Sequence, residues 1–391
     1  MEYYKKTNEK IIEEMINFRR CMHKNPELSE KEINTSKMIS EVLQHYGIEH
    51  KCNVGGYGVS AIVRGMRDGK TVAAKSDIDA LPIFEENNYP FKSVNAGVMH
   101  ACGHDANTAM LLGSAIVIKA MEKELKGNVK FFFEPAEETI GGGKLMVEDG
   151  CMEKPKVDYI IGMHVMPHID TGKIEIKRGC LNASTDEVEI IVHGVSGHAA
   201  EPEKCIDTIV VISYIITALQ TFVSRNTAAT DSAVLTFGML HGGTKGNIIP
   251  EKAVAKGTLR TLKPEQREYS KRRIKEIAES VAEAFGAKAE VCITESYDAL
   301  INDDNLVNLI EDEAARLFGR DNIVIKDVPS MGAEDFAYYT KNAKGAYFHV
   351  GCKDPKEQEI CSLHNKDFHL DEKCIKIGIE IQSALLLRML E

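Results

Sequence analysis

The order of predicted strands and helices changes once along the chain, and this change constrains the fold more than any other feature. Up to about Ala183, apolar strands alternate with helices, which is typical of an α/β layer structure with much parallel sheet. From there to about Glu295 the predicted order is β-α-β-β-α-β, the ferredoxin-like signature. We therefore predict a discontinuous α/β domain over residues 1–183 and 296–391, with an inserted ferredoxin-like α+β domain over residues 184–295.

The composition narrows the possible partners. A net charge of −11 and 59 acidic against 48 basic residues argue against attraction to nucleic acid. No run approaches the roughly 18 apolar residues of a membrane span, and the N-terminal segment MEYYKKTNEK lacks the apolar core of a signal peptide. The ten cysteines form no CxxC pair, which is typical of reduced thiols. We predict a cytoplasmic protein that acts on a small molecule, without nucleic-acid or membrane partners.

The most suggestive local motif is HACGHD at residues 100–105. Cys102 and His104 are two residues apart, so on an extended loop both side chains can face one metal ion. Taken alone, the motif fits a metal site and a structural role about equally well.

Three further segments carry metal-binding residue types near the ends of predicted strands: Glu137 with Glu138, then His164, and later His364. Ligands of open α/β sheets bind beyond the carboxyl ends of the strands, so these side chains can converge. Each is weak evidence alone, because a single histidine is commonly structural and paired glutamates favour the first turn of a helix. Together they supply ligands for two divalent ions and one further carboxylate for proton transfer.

Ordered motifs then extend this pattern along almost the whole chain. They are HKNPELS at 23–29, SDIDALPI at 76–83, HACGHDANTAMLLG at 100–113, EPAEE at 134–138, GMHV at 162–165, GHAAEP at 197–202, GNIIP at 246–250, GTLR at 257–260, GAEDFAYY at 332–339 and SLHNKDF at 362–368. With these motifs the chain resembles the peptidase M20 family of dinuclear metal amidohydrolases, in particular the aminoacylase, hippurate hydrolase and auxin-conjugate hydrolase branch.

The resemblance implies roles for individual residues of the first domain. The implied metal ligands are Cys102, His104, Glu138, His164 and His364, with the cysteine thiolate shared by both ions. Glu137 matches the general base, and Asp79 matches a carboxylate that orients a ligating imidazole. Zinc is the first choice for the two ions, and manganese, cobalt and nickel are also compatible with these ligands.

In the inserted domain, His198 resembles a histidine that this family delivers across a dimer interface to stabilise the oxyanion. Asn247 and Arg260 match groups that bind the free carboxylate of the substrate, a task that suits the guanidinium fork. The resemblance thus implies a homodimer formed through the inserted domain. The apolar helix at 206–222 suits such an interface, although core packing explains it equally well.

The implied activity is metal-dependent hydrolysis of the amide bond of N-acyl-L-amino acids. A carboxypeptidase or dipeptidase on the same scaffold is the alternative, and a non-catalytic metal- or ligand-binding relative is a more distant one. A cysteine hydrolase that uses Cys102 with His104 is disfavoured, because residues two apart rarely have nucleophile–base geometry.

Four positions depart from the family pattern. Asn107 stands where relatives commonly have His, Lys75 where Arg is usual, Glu134 where Gln is common, and Glu203 where His is frequent. We expect Glu134 and Glu203 to add negative charge near the cleft and so to change substrate preference rather than chemistry.

Overall fold

The computed structural model describes residues 8–391, so most of the segment judged for a signal peptide lies outside the described residues. The chain forms two compact units. The first comprises the residues up to Gly179 with Ile301–Val328 and Asp335–Glu391, and the second comprises Cys180–Leu300 and Pro329–Glu334. The second unit therefore includes a short later stretch that the sequence pattern did not predict.

Strands and helices fall in the following order. The strands are β1 (Glu49–Val54), β2 (Gly58–Arg64), β3 (Arg67–Asp77), β4 (Lys126–Glu134), β5 (Tyr159–Asp170), β6 (Ile174–Ile176), β7 (Gly179–Asn182), β8 (Ser184–His193), β9 (Gly197–His198), β10 (Ala233–Gly242), β11 (Ile248–Ile249), β12 (Lys252–Thr261), β13 (Lys288–Glu295), β14 (Leu300–Asn302), β15 (Ile323–Ile325) and β16 (Lys344–Lys353). The helices are α1 (Asn8–Lys24), α2 (Ile33–His45), α3 (His104–Ala120), α4 (Gly142–Glu148), α5 (Thr208–Thr221), α6 (Pro264–Ala284), α7 (Asp304–Phe318), α8 (Ala337–Thr340) and α9 (Lys373–Met389).

The first unit is built on a sheet of eight strands in the order β1-β2-β4-β3-β5-β16-β6-β15. The four central strands β4, β3, β5 and β16 run parallel, and β1 with β2 extends the sheet in antiparallel pairing. This confirms the predicted α/β class with a mixed, largely parallel sheet. Asp77 pairs in register with Glu134, so β3 and β4 end side by side at one edge.

Helix α3 carries the HACGHD motif into the core of this unit. It is buried from His104 to Ile118 because it packs against the sheet and against α1 and α9. Its contact with α9 depends on glycine, since a Cβ at Gly378 would lie 2.2 Å from Met110 Sδ. The helix therefore holds its first residues at a fixed place above the sheet.

The second unit has a four-stranded antiparallel sheet in the order β10-β12-β8-β13. Numbered along the chain within the unit, this order is 2-3-1-4, which is the ferredoxin-like arrangement. Helices α5 and α6 cover one face of the sheet through buried apolar residues such as Val188, Ile212 and Ile274.

Candidate metal centre

A sharp turn separates Cys102 from His104. Gly103 between them has φ 86°, a left-handed conformation that favours glycine, and a Cβ there would lie 2.4 Å from Val165 Cγ2. The helix α3 then begins at His104 itself, whereas the apolar pattern of the sequence predicts a helix only over about 108–125. Cys102 and His104 are both buried and both face the edge where β3 and β4 end.

Asp79, just beyond the end of β3, fixes the orientation of His104. The Nδ1 atom of His104 lies 3.1 Å from Asp79 Oδ1 and 3.0 Å from the Asp79 carbonyl oxygen. Asp79 Oδ2 accepts hydrogen bonds from Ser29 Oγ at 2.7 Å and from Glu138 N at 3.0 Å. With Nδ1 used in this way, His104 Nε2 faces Glu137 and Glu138, 4.0 Å from an oxygen of each.

His164 lies inside strand β5 rather than at a strand end, because β16 continues to pair beside it. The pairing of β5 with β3 stops at Gly162, so His164 is free of a strand partner on the side of the site. Its Nδ1–H donates to the Val165 carbonyl at 2.7 Å, and its Nε2 lies 3.5 Å from Cys102 Sγ. Asn107 Oδ1 accepts from Val165 N at 3.1 Å, so this side chain supports the strand.

His364 completes the cluster from a loop, not from a strand end. Its φ is 61°, and its N–H donates to the Ala101 carbonyl at 2.8 Å. His364 Nε2 lies 3.4 Å from Cys102 Sγ and 3.1 Å from Glu138 Oε1. Cys102 thus stands between two imidazoles.

Of the groups of three potential ligands among the described residues, two contain Cys102. One group is Cys102, His104 and His164, and the other is Cys102, Glu138 and His364, with ligand atoms within 4.8 Å of one another. Burial raises the pKa of the Cys102 thiol far above its ordinary value, so a thiolate there requires a neighbouring cation. Burial lowers the pKa of His164 well below its ordinary value, which leaves the neutral imidazole that binds metals. The donor set fits two divalent ions that share one thiolate.

Glu137 follows a constrained turn at the end of β4. Ala136 has φ 56°, and its N–H donates to Glu32 Oε1 at 2.8 Å. The side chain of Glu137 groups with His104 and Glu138 and stays partly open to solvent. Glu137 is thus placed beside the ligands, where a base that is not itself a ligand can act.

The remaining predicted residues lie in the second unit. His198 on β9 is exposed, and its Nδ1 accepts from Ala200 N at 3.1 Å. Asn247 is close to it, since its carbonyl accepts from Ala199 N at 3.2 Å. Arg260 on β12 donates to the Met331 carbonyl at 3.1 Å. Their roles towards the substrate stay predictions.

The HACGHD motif indicates Asp105 as a support of the ligand loop rather than a metal ligand, but sequence reasoning missed other supporting residues, namely Arg19, His23, Ser29 and Glu32. Asp105 contacts Arg19 Nε at 2.6 Å and His23 Nδ1 at 2.7 Å, and these charges hold the start of α3 in place. Ser29 supports Asp79, and Glu32 supports the turn before Glu137. The motif HKNPELS contains His23 and Ser29, so its polar residues were an available signal.

The expectation for Glu134 was wrong. Its side chain is fully buried, accepts a hydrogen bond from the Tyr339 hydroxyl at 2.7 Å and lies 3.6 Å from Lys75 Nζ. It is therefore part of the interior and adds no exposed charge. Glu203 is exposed in the second unit.

A cysteine common to two groups of potential ligands, with imidazoles, carboxylates and an adjacent further glutamate, is the set of side chains expected of a two-metal hydrolase. Residues 73–388 match the model of peptidase family M20/M25/M40, and the chain belongs to this family. The chain is therefore a hydrolase that acts on amide bonds.

Similar proteins span nearly the same length. The chain is 37% identical to an N-acetylcysteine deacetylase of Bacillus subtilis, over 96% of this chain and 97% of that one. It is 36% identical to thermostable carboxypeptidase 2 of Saccharolobus solfataricus, over 98% of this chain and 97% of the other. Among solved structures, a dinuclear metal-binding peptidase of the M20 family from Bacillus subtilis superposes with a TM-score of 0.85 at 34% identity, covering 97% and 98% of the two chains.

Proposed function

We propose that this chain hydrolyses the amide bond of N-acyl-L-amino acids. One observation carries the proposal: Cys102 lies between two sets of metal-binding side chains, and Glu137 lies within 4.8 Å of a member of each set, His104 and Glu138. The deacetylase relative supports an acylated amino acid as substrate.

The residues of the chain then have separate tasks. Two divalent ions, held by the five proposed ligands, would polarise the amide carbonyl and make water more acidic. Glu137 takes a proton from the attacking water and passes it to the leaving nitrogen. Asp79 keeps His104 in the tautomer whose Nε2 lone pair faces the ions. His198 stabilises the oxyanion, and Arg260 with Asn247 binds the α-carboxylate of the substrate.

Zinc is our first choice for the ions, because thiolate and imidazole ligands suit it, with manganese, cobalt or nickel as alternatives. A cytoplasmic location stays a prediction from the sequence.

A homodimer through the second unit is also proposed. Helix α5 exposes apolar side chains, namely Ile209 at 42%, Val210 at 43% and Tyr214 at 56% of their surface. The segment Thr208–Asn226 is long and apolar enough to span a membrane by length and composition alone, a test that the core helix of a soluble protein also passes. The edge strand β10 adds exposed Met239 and Leu240. An exposed apolar patch of this kind is typical of a protein–protein interface.

The carboxypeptidase relative favours a second candidate, cleavage of a peptide with a free α-amine. The experiment is a hydrolysis screen of metal-reconstituted protein with N-acetyl- and N-benzoyl-amino acids and with matched dipeptides. We expect turnover of an N-acyl amino acid to exceed that of the dipeptide with the same C-terminal residue. Faster turnover of the dipeptides would replace our proposal with the peptidase, and no turnover of either class would refute both.

A further inference from the structure

The adjacent ends of β3 and β4 place two buried carboxylates side by side. Asp77 pairs in register with Glu134, and both side chains are almost fully buried. Partners on neighbouring parallel strands lie about 4.8 Å apart and point to the same face. Two carboxylates in that position repel each other strongly unless a cation or a proton lies between them.

The side chain of Lys75 supplies that cation. It precedes Asp77 by two residues and therefore points to the same face of β3. Its ammonium group donates a hydrogen bond to Asp77 Oδ1 and lies 3.3 Å from Asp335 Oδ1 and 3.6 Å from Glu134 Oε2. The three carboxylates are close enough together to form a cation site, and the ammonium group, with no exposed surface, occupies it.

Two of these carboxylates are close in sequence to residues of the candidate metal centre. Asp77 is two residues before Asp79, which orients His104, and its carbonyl accepts from Thr108 Oγ1 on α3 at 2.9 Å. Glu134 is the last residue of β4, and its carbonyl accepts from Ile78 N at 2.9 Å just before the turn to Glu137.

The third carboxylate, that of Asp335, contacts a segment that is distant from it in sequence. Asp335 Oδ2 accepts from Gly143 N at 3.0 Å at the start of α4. Nearby, the Tyr339 hydroxyl donates to Glu134 Oε2 at 2.7 Å, and the Tyr339 ring stacks on Phe132 with centroids 5.7 Å apart. A single ammonium group thus joins three chain segments around the site.

We propose that Lys75 is a positioning residue, whose ammonium group sets the distance between the orienting carboxylate Asp79 and the glutamates Glu137 and Glu138. The proposal rests on the proposed function, because that function assigns the roles of these three residues. A displacement of about 1 Å at a reacting group costs on the order of 100-fold in rate. The Lys75 side chain has no exposed surface with which to bind a substrate, so its loss affects kcat more than KM.

The test uses Lys75→Met, which keeps the approximate length of the side chain and removes its charge. We expect kcat to fall about 100-fold with KM changed by less than about threefold. The visible spectrum of the Co²⁺-loaded protein, which reports ligand geometry, should also shift.

Lys130→Met is the matched control. Lys130 is also a buried lysine of the same sheet, but it donates to the carbonyls of Cys151 at 2.8 Å and Glu153 at 2.6 Å, away from the metal ligands. This control should lower thermal stability and leave kcat and the Co²⁺ spectrum unchanged. Equal effects of Lys75→Met and Lys130→Met would overturn the proposal, as would a Lys75→Met protein with wild-type kcat and spectrum.

The positioning role of Lys75 can still be tested if Lys75→Met does not fold or if the wild-type protein is inactive. If Lys75→Met does not fold, Asp335→Asn weakens one contact of the ammonium group and should give a smaller kcat loss, about tenfold, with a shifted spectrum; an unshifted spectrum there counts against the proposal. If the wild-type protein hydrolyses no amide, the proposed function fails, while the Co²⁺ spectra of Lys75→Met and Lys130→Met still decide the positioning role.

Discussion

Replacing Asp79 by asparagine should weaken metal binding without unfolding the protein. Burial opposes ionisation of Asp79, but hydrogen bonds from His104, Glu138 N and Ser29 hold its pKa below the ordinary value, so it is a carboxylate at neutral pH. Its two oxygens accept all three of these hydrogen bonds. An asparagine has the same shape but only one accepting oxygen in its side chain.

The expected loss of metal affinity in Asp79→Asn depends on how the side-chain amide of the asparagine is oriented. If its NH₂ group takes the position of Oδ2, the Ser29 hydroxyl can rotate and accept, but the N–H of Glu138 loses its partner, at a cost of about 1–3 kcal/mol. If the NH₂ group faces His104 Nδ1, the imidazole must move its proton to Nε2, the atom needed by the metal. Either arrangement predicts metal affinity about 10–100-fold weaker than wild type.

Metal affinity is best measured by competition with a chromophoric chelator, alongside thermal unfolding of the metal-free proteins. Asp149→Asn is a suitable control, because Asp149 accepts a single backbone hydrogen bond from Gly55 N at 2.7 Å, which an amide oxygen can also accept. Excess metal should restore much of the activity of Asp79→Asn. An affinity within about twofold of wild type, or an equal loss in the control, would show that Asp79 does not orient the ligands.

Three further predictions test other parts of the structure. Glu137→Gln should keep two bound ions by elemental analysis while turnover falls about 100- to 10,000-fold, and loss of an ion instead would mean that the roles of Glu137 and Glu138 are exchanged. Burial raises the pKa of Glu32 from 4.5 to about 7, so the folded state holds this proton more tightly and stability falls as pH rises between these values. Glu32→Gln should therefore raise the free energy of unfolding by up to about 3 kcal/mol at pH 8 and not at pH 4. An equal increase in the free energy of unfolding at the two pH values would contradict burial of the ionised carboxylate as the cause. Val210→Glu on α5 should convert a dimer into monomers in sedimentation velocity, whereas Met66→Glu, at an apolar site exposed on the first unit, should not.

The main elements of the fold could be predicted because they follow clear apolar periods. The apolar periods predict strands over residues 58–64 and 252–261, and β2 and β12 have these bounds. They also predict helices near 9–23, 264–285 and 374–390, and α1, α6 and α9 begin and end within about two residues of these positions. Strand β1 was missed because its sequence EHKCNV is an edge strand with only one buried residue and no apolar alternation. The short strands β6, β9, β11 and β15 have too few residues to show a period.

The predicted ligands lie close together in the structure. Of the supporting side chains, the sequence indicated Asp79 and Asp105 but not the others. Ligand types such as Cys102 and His104 are rare enough in sequence to draw attention. Ser29, Glu32 and Lys75 are ordinary polar residues, and their importance depends on which chain segments the fold brings next to them. Local sequence does not show which distant segments pair with each other, so the supporting role of these residues can be identified only from the structure.

The supports of the metal centre are themselves buried charges, and they form two separate groups. Arg19 and His23 neutralise Asp105 at the start of α3, while Lys75 neutralises the carboxylates at the ends of β3 and β4. Burying a charge destabilises a fold unless a partner of opposite charge is held in place, so each group joins its segments firmly. The proposed ligand His104 lies next to the first group in sequence, and Asp79 and Glu137 follow the second. The helix that carries His104 is joined to the end of β3 by two hydrogen bonds, from His104 to Asp79 and from Thr108 Oγ1 to the Asp77 carbonyl. This arrangement allows the ligand geometry to exist before an ion binds, which lowers the cost of ordering the site on binding.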